Sequence, residues 1–323
     1  MKKKRTIGIF SSMLAFWMLI VSTPMYASDP DISDDKDLPA VAEPQFESDA
    51  KSLILIEAST GKVLYENNAD EALPPASVTK IMTLLLVMEA IEQGKLKLTD
   101  MVTVSEAAAN MGGSQVYLEV GEQLSVEEMI KCVVIASAND AAYALAEAIA
   151  GTEESFVSRM NERARELQMR NANFENTNGL DDTTENHVMS ARDIAIMSAE
   201  LMKYPVILKY TTIWQDSIRN GAFVLTNTNR LIRFYPGANG LKTGSTSKAG
   251  FCISAAAKRE GMQLIAVVMG VSTRDSRNET AKQLLSWGFA IIHKLQSIIM
   301  FHSKSQHTTE ESSRFRPIMN LFD

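Results

Sequence analysis

Strand-like text stands at both ends of one long stretch of this chain, and helix-like text fills the middle. The opening segment, "KSLILIEASTGKVLYENN" (51–68), alternates and turns at Ser59-Thr60-Gly61, as a β-hairpin does. After residue 205 the pattern returns to strands: "FVLTNTNRL" (223–231), then "GFCISAAAKR" (250–259) and "MQLIAVVMG" (262–270) across a Glu260-Gly261 turn. This order predicts a mixed α/β (α+β) domain whose sheet joins N- and C-terminal segments.

The middle block carries helical spacing and capping chemistry. Apolar positions recur from Ser77 to about Gln93, and Gly94 marks the stop. Ser125 and Glu128 form a capping box ahead of "MIKCVVIA". Further helices are predicted in "NDAAYALAEAIAG", ending at Gly151, in "TEESFVSRMNERARELQ" and in "SARDIAIMSAELMK". "RNETAKQLLSWGFAIIHKL" closes the domain, which is read over residues 51–293. Residues 294–323 show no sustained period and read as a disordered end.

The N-terminus has a different character. "MKKKR" is basic, "TIGIFSSMLAFWMLIV" is apolar, and "MYA" precedes polar text, so residues 1–27 read as a signal peptide cut near Ala27. An uncleaved membrane anchor is the competing reading; either way the rest is exported. Residues 28–50 are acidic and proline-containing, a flexible linker by composition. The formal net charge of -7 argues against a nucleic-acid partner. Cys132 and Cys252 lie inside apolar runs and read as packing residues, and no Cys/His spacing suggests a metal.

Three short motifs carry the chemistry. Ser-x-x-Lys occurs five times, but only Ser77 sits where a helix begins, with Lys80 one turn later on nearly the same face. Taken alone, Ser77 reads as a helix cap and Lys80 as solvated. Ser137-Ala138-Asn139 falls between two helices and alone reads as a turn or N-cap. Lys242-Thr243-Gly244 is the chain's single Lys-Thr-Gly, placed just before an apolar strand. Their order is the informative fact, because it is the motif set of penicillin-binding proteins and class A β-lactamases.

With these motifs the chain resembles the serine-type D-alanyl-D-alanine carboxypeptidases, the low-molecular-mass penicillin-binding proteins. "NTNGLDDTTENHVMSARD" and "GLKTGSTSKAGFCISAAAKREGMQLIAVVMG" extend the likeness from about residue 50 to 293. The resemblance implies a β-lactamase/transpeptidase-like fold: an antiparallel sheet flanked by helices, with a helical subdomain. It also implies no cofactor, a stem peptide of peptidoglycan ending in D-Ala-D-Ala as substrate, and β-lactams as covalent inhibitors. Peripheral membrane or wall association belongs to the same expectation.

By the same resemblance Ser77 is the nucleophile, Lys80 its base and Ser137 a proton relay. Asn139 would hold Lys80 or the substrate amide, and Lys242 and Thr243 would bind the terminal carboxylate. The N–H groups of Ser77 and Ser245, the latter just past Gly244, would form an oxyanion hole. The loop with Gly112, Gly113 and Ser114 could border the groove or simply serve a turn. His187 with Asp193 invites a Ser-His-Asp reading, set aside because no Gly-x-Ser-x-Gly elbow exists; a hydrogen-bonded structural histidine is the plainer reading.

Two departures are visible. Some relatives carry an arginine directly after the Met-Gly that ends the last strand; here Arg274 and Arg277 come slightly later, and their role stays open. A β-rich second domain and anchor helix do not show in the sequence past the match, so a soluble form or a truncated product is expected. The rival functions are a β-lactamase on the same fold, and a non-catalytic wall-binding protein.

Overall fold

The computed structural model describes residue 44 and residues 47–182 and 184–314. The expected signal peptide and nearly all of the acidic linker lie outside these residues.

The hairpin forms as β1 (Ser52–Glu57) and β2 (Val63–Asn67). The 3₁₀ turn Ala76–Thr79 leads into α1 (Lys80–Glu92). The short β3 (Met101–Thr103), α2 (Glu106–Ala109) and β4 (Gln123–Ser125) follow. Next come α3 (Val126–Lys131), a π-type turn Cys132–Ala136, α4 (Asn139–Ala150) and α5 (Glu153–Glu166). After a long loop come α6 (Ala191–Leu201), α7 (Pro205–Thr211), β5 (Gln215–Ile218), β6 (Phe223–Thr226) and α8 (Leu231–Phe234). The chain then forms β7 (Ala238–Thr246), β8 (Gly250–Arg259), β9 (Met262–Val271) and α9 (Arg274–Arg314).

The main sheet has the order β2-β1-β9-β8-β7 and every neighbouring pair is antiparallel. Ile54 pairs with Val267 and Leu55 with Ala266, so the first and last strands are central neighbours, as the strand-like ends of the sequence require. Both faces of the sheet are covered. Ile54, Ile56, Val267 and Met269 pack into the core shared with the helical block. Leu53, Leu55, Leu264 and Val268 pack beneath Ala281, Leu284 and Leu285 of α9. Burial on both faces explains why β8 and β9 read as nearly continuous apolar runs instead of alternating.

α1 is buried from Lys80 to Met88, the condition of a central helix surrounded by others. The capping box of Ser125 and Glu128 opens α3, and a second box, Ser190 with Asp193, opens α6. Cys132 and Cys252 are free and buried.

Three expectations are corrected. Ser77 does not cap α1: it lies inside the 3₁₀ turn, and the helix starts at Lys80 without a side-chain cap. The end of the presumed linker is anchored, since Asp49 accepts hydrogen bonds from Ser272 and Ser276 at the start of α9, and Ser48 bonds Thr280. The region past residue 293, expected to lack regular structure, continues α9 to Arg314. Among the described residues no helix is long and apolar enough to cross a membrane.

Candidate active site

The three motifs converge where the 3₁₀ turn and the start of α1 meet the edge strand β7. The residue before Ser77, Ala76, has φ 50, in the left-handed region that side chains seldom occupy. This bend turns Ser77 out of the helix axis. Gly244 makes the close approach of β7 possible: a Cβ there would lie 2.8 Å from both Ser77 N and Pro75 O. Any other residue at 244 would push the strand off the turn, and with it the neighbouring backbone of Ser245.

Lys80 Nζ lies 2.8 Å from Ser77 Oγ and donates to the carbonyl of Asn178 at 2.9 Å. The side chain is fully buried, 0% exposed, and among the described residues no carboxylate forms a salt bridge with it. Burial pushes the Lys80 amine well below the ordinary lysine range, the Lys242 charge pushes the same way, and Asp140 opposes both. A shift in that direction favours the neutral amine, and Ser77 Oγ lies within its reach. The cap reading of Ser77 and the solvated reading of Lys80 both fail on these observations.

The second motif is shaped by the turn before it. Ser137 takes φ 64, ψ 28 at the end of the π-type turn, which aims its hydroxyl at Lys242 Nζ, the donor at 2.8 Å. Lys242 Nζ also donates to the carbonyl of Thr243. Burial, and then the charge of Arg277, lower the Lys242 amine to about 7. Thr243 Oγ1 donates to Thr228 Oγ1.

Asn139 Nδ2 donates to the carbonyl of Gly112 at 2.7 Å, and Asn139 N to that of Ser114. The loop of Gly112, Gly113 and Ser114 therefore borders the second motif. Asn139 Oδ1 is buried and has no partner among the described residues. A buried oxygen of this kind costs free energy unless something arrives to bond it.

Several contributors escaped sequence reasoning. Asn178 acts through its carbonyl, which no side-chain pattern reveals; the Asn-Gly dipeptide at 178–179 was the one available signal. Asp140, wholly buried next to Asn139, accepts from the N–H groups of Val116, Leu118 and Ala141 and ties the loop at 116–118 to α4. Arg277, whose role the sequence leaves open, is 3% exposed, and burial followed by the Arg274 charge lowers its guanidinium to about 10.

His187 takes no part in a Ser-His-Asp set. Its partners are Thr79 and the Glu175 N–H, while Asp193 serves the capping box and Asn171. Burial lowers the imidazole to about 4, so the ring is neutral near pH 7.

A Ser77/Lys80 pair beside a second pair, Ser137 in the turn before α4 with Lys242 on β7 at the edge of an antiparallel sheet, is the architecture of penicillin-recognising serine acyltransferases. Solved structures agree: penicillin binding protein 6B from Escherichia coli superposes with a TM-score of 0.72 at 34% identity, covering 78% of this chain and 80% of that one. Penicillin-Binding Protein D2 from Listeria monocytogenes, in its ampicillin-bound form, gives a TM-score of 0.70 at 30% identity over 76% of this chain and 100% of that one.

The D-alanyl-D-alanine carboxypeptidase family model matches residues 39–273, and the chain belongs to this family, peptidase S11. The D-alanyl-D-alanine carboxypeptidase DacF of Bacillus subtilis is 52% identical over 245 residues, covering 75% of this chain and 62% of that protein. DacC of Escherichia coli is 39% identical over 257 residues, covering 77% and 64%. The chain thus spans less than two thirds of the length of these curated relatives.

Proposed function

We propose that the protein is a serine-type D-alanyl-D-alanine carboxypeptidase that removes the terminal D-alanine of peptidoglycan stem peptides, and that β-lactams acylate the same serine. The observation that carries this reading is the fully buried Lys80 amine 2.8 Å from Ser77 Oγ. A base must be both near its proton and able to hold it, and this geometry with this burial supports both.

In this mechanism neutral Lys80 takes the Ser77 proton as Oγ attacks the carbonyl carbon of the penultimate D-alanine. Negative charge builds on the carbonyl oxygen, and the N–H groups of Ser77 and Ser245 receive it; one such donor is worth about 3 kcal/mol. The C–N bond breaks as the leaving amine takes a proton from the Ser137 hydroxyl, which Lys242 holds, and the proton that Lys80 took from Ser77 replaces it there, so that Lys80 and Ser137 both end neutral. Water then hydrolyses the Ser77 ester by the reverse proton path. Lys242 and Thr243, on the strand beside the nucleophile, provide for the terminal carboxylate. Buried Arg277 adds positive charge behind Lys242, which is the role we assign to it. The orphaned Oδ1 of Asn139 supports the substrate-amide role over a bond to Lys80, whose contacts are already made with Ser77 and Asn178.

The sequence of residues 1–27 and the wall-directed chemistry support an exported, envelope-associated protein.

Intact-mass spectrometry after incubation with penicillin tests the reading. A covalent adduct is expected on the native chain and none on Ser77→Ala. An adduct that persists in the variant would mean another serine reacts. Free D-alanine from a Lys-D-Ala-D-Ala peptide separates enzyme from mere binder, and fast penicillin turnover would instead mark a β-lactamase.

A further inference from the structure

A one-way chain of hydrogen bonds ends on the peptide group that precedes the nucleophile. The Glu175 N–H can only donate, and it donates to His187 Nδ1 at 3.0 Å. The neutral ring must therefore carry its proton on Nε2, which donates to Thr79 Oγ1 at 2.8 Å. The Thr79 hydroxyl, its oxygen so used, donates to the carbonyl of Ala76 at 2.8 Å. His187 is 6% exposed and Thr79 is fully buried, so water does not compete for these bonds.

The Ala76 carbonyl shares its peptide plane with the Ser77 N–H. The Ala76–Ser77 bond is trans, and in a trans peptide the C=O and N–H point in opposite directions. Fixing the oxygen on one side therefore aims the N–H at the other, toward the face where Gly244 approaches Ser77 N. The same carbonyl leaves no room for a side chain at Gly179, where a Cβ would meet it at 1.9 Å. The plane thus has an anchor and a wall behind it, at a residue whose own φ of 50 is unfavourable and needs such support.

We infer that His187 and Thr79 are positioning residues for the reaction: they hold the Ala76–Ser77 peptide plane so that the Ser77 N–H meets the developing oxyanion. This rests on the functional reading above, in which that N–H is an oxyanion donor. Neither side chain touches substrate.

The test is the rate of covalent adduct formation on the full chain, with a penicillin and with its thiono analogue, in which sulfur, a weak hydrogen-bond acceptor, replaces the lactam oxygen. Thr79→Val, which removes the hydroxyl at nearly constant volume, is expected to slow acylation by the oxygen compound about 10- to 100-fold. It should slow the thiono analogue far less, while Thr79→Ser stays close to the native rate. His187→Phe should show the same selectivity, and the double variant should lose little more than either single one, because both act through one carbonyl. Should Thr79→Val not fold, Thr79→Ala carries the same comparison. A native-like rate for a folded Thr79 variant, or equal losses on both compounds, would overturn the inference while leaving the enzyme assignment intact. A native chain that forms no adduct would overturn the functional reading and this inference together.

Discussion

Lys131 and Lys80 are both lysines on helices of the same small domain, and they live under opposite rules. Lys131 stands at the surface 2.9 Å from the Asp216 carboxylate, and its hydrogen bond there raises its pKa. Lys80 is sealed in the interior beside a hydroxyl and a backbone carbonyl, and burial with a second lysine nearby lowers it. A carboxylate partner keeps a cation charged and chemically idle. Withholding that partner, and the water with it, favours the neutral amine that the proposed base role needs.

This contrast has consequences that can be broken, the largest first. Lys80→Met should slow acylation by penicillin about 1000-fold, the middle of the range for general-base loss, without lowering the thermal midpoint. A large drop in stability with activity retained would mean that Lys80 is a structural cation. Lys242→Met should weaken hydrolysis of peptides ending in a free carboxylate, and move the acid limb of the acylation profile to higher pH. The sign follows from removing a like charge: protonated Lys80 becomes less unfavourable, so its pKa rises. An acid limb that stays put would deny the coupling between the two amines.

A third, subtler effect concerns folding. Lys242 sits at about 7 in the native state, against about 10.4 in an unfolded chain. Between those values the unfolded chain binds the proton and the native one does not, so stability should rise with pH, by at most about 1.4 kcal/mol per unit. Below about 7 both states are protonated and this contribution to the slope vanishes. Urea midpoints across pH 7 to 10 for the native chain and Lys242→Met would reveal the difference; parallel curves would refute it. The smallest effect belongs to Lys131→Met, which should cost under about 1 kcal/mol, shrink further in high salt, and leave acylation unchanged.

The sheet was legible because β8 and β9 are apolar on both faces and the hairpin lies at the opposite end of the domain, leaving few topologies. The site was legible where it depends on side-chain identity: Ser77, Lys80, Ser137, Asn139 and Lys242 all fall in short motifs, and the structure gathers them. It was illegible where it depends on backbone. The Asn178 carbonyl, the bend at Ala76 and the 3₁₀ turn that displaces Ser77 from a capping position carry no residue signature. β7 hid for a related reason: "ANGLKTGST" carries glycines, lysine and threonines facing the site in place of the apolar pattern that marks β8 and β9. His187 and Asp193 are a reminder that proximity in sequence is cheap, since His187 bonds Thr79 and the Glu175 N–H while Asp193 bonds Ser190 and the Asn171 N–H.

The pairing of β1 with β9 also says when this molecule becomes reactive. A chain made from its N-terminus presents Ser77 and Lys80 early, yet the strand bearing Lys242 and the one that locks the hairpin in place arrive nearly last. Such long-range closure is slow relative to local helix formation. On the proposed mechanism the serine would until then be an ordinary alcohol beside an ordinary ammonium ion, so labelling by penicillin should count only completed molecules.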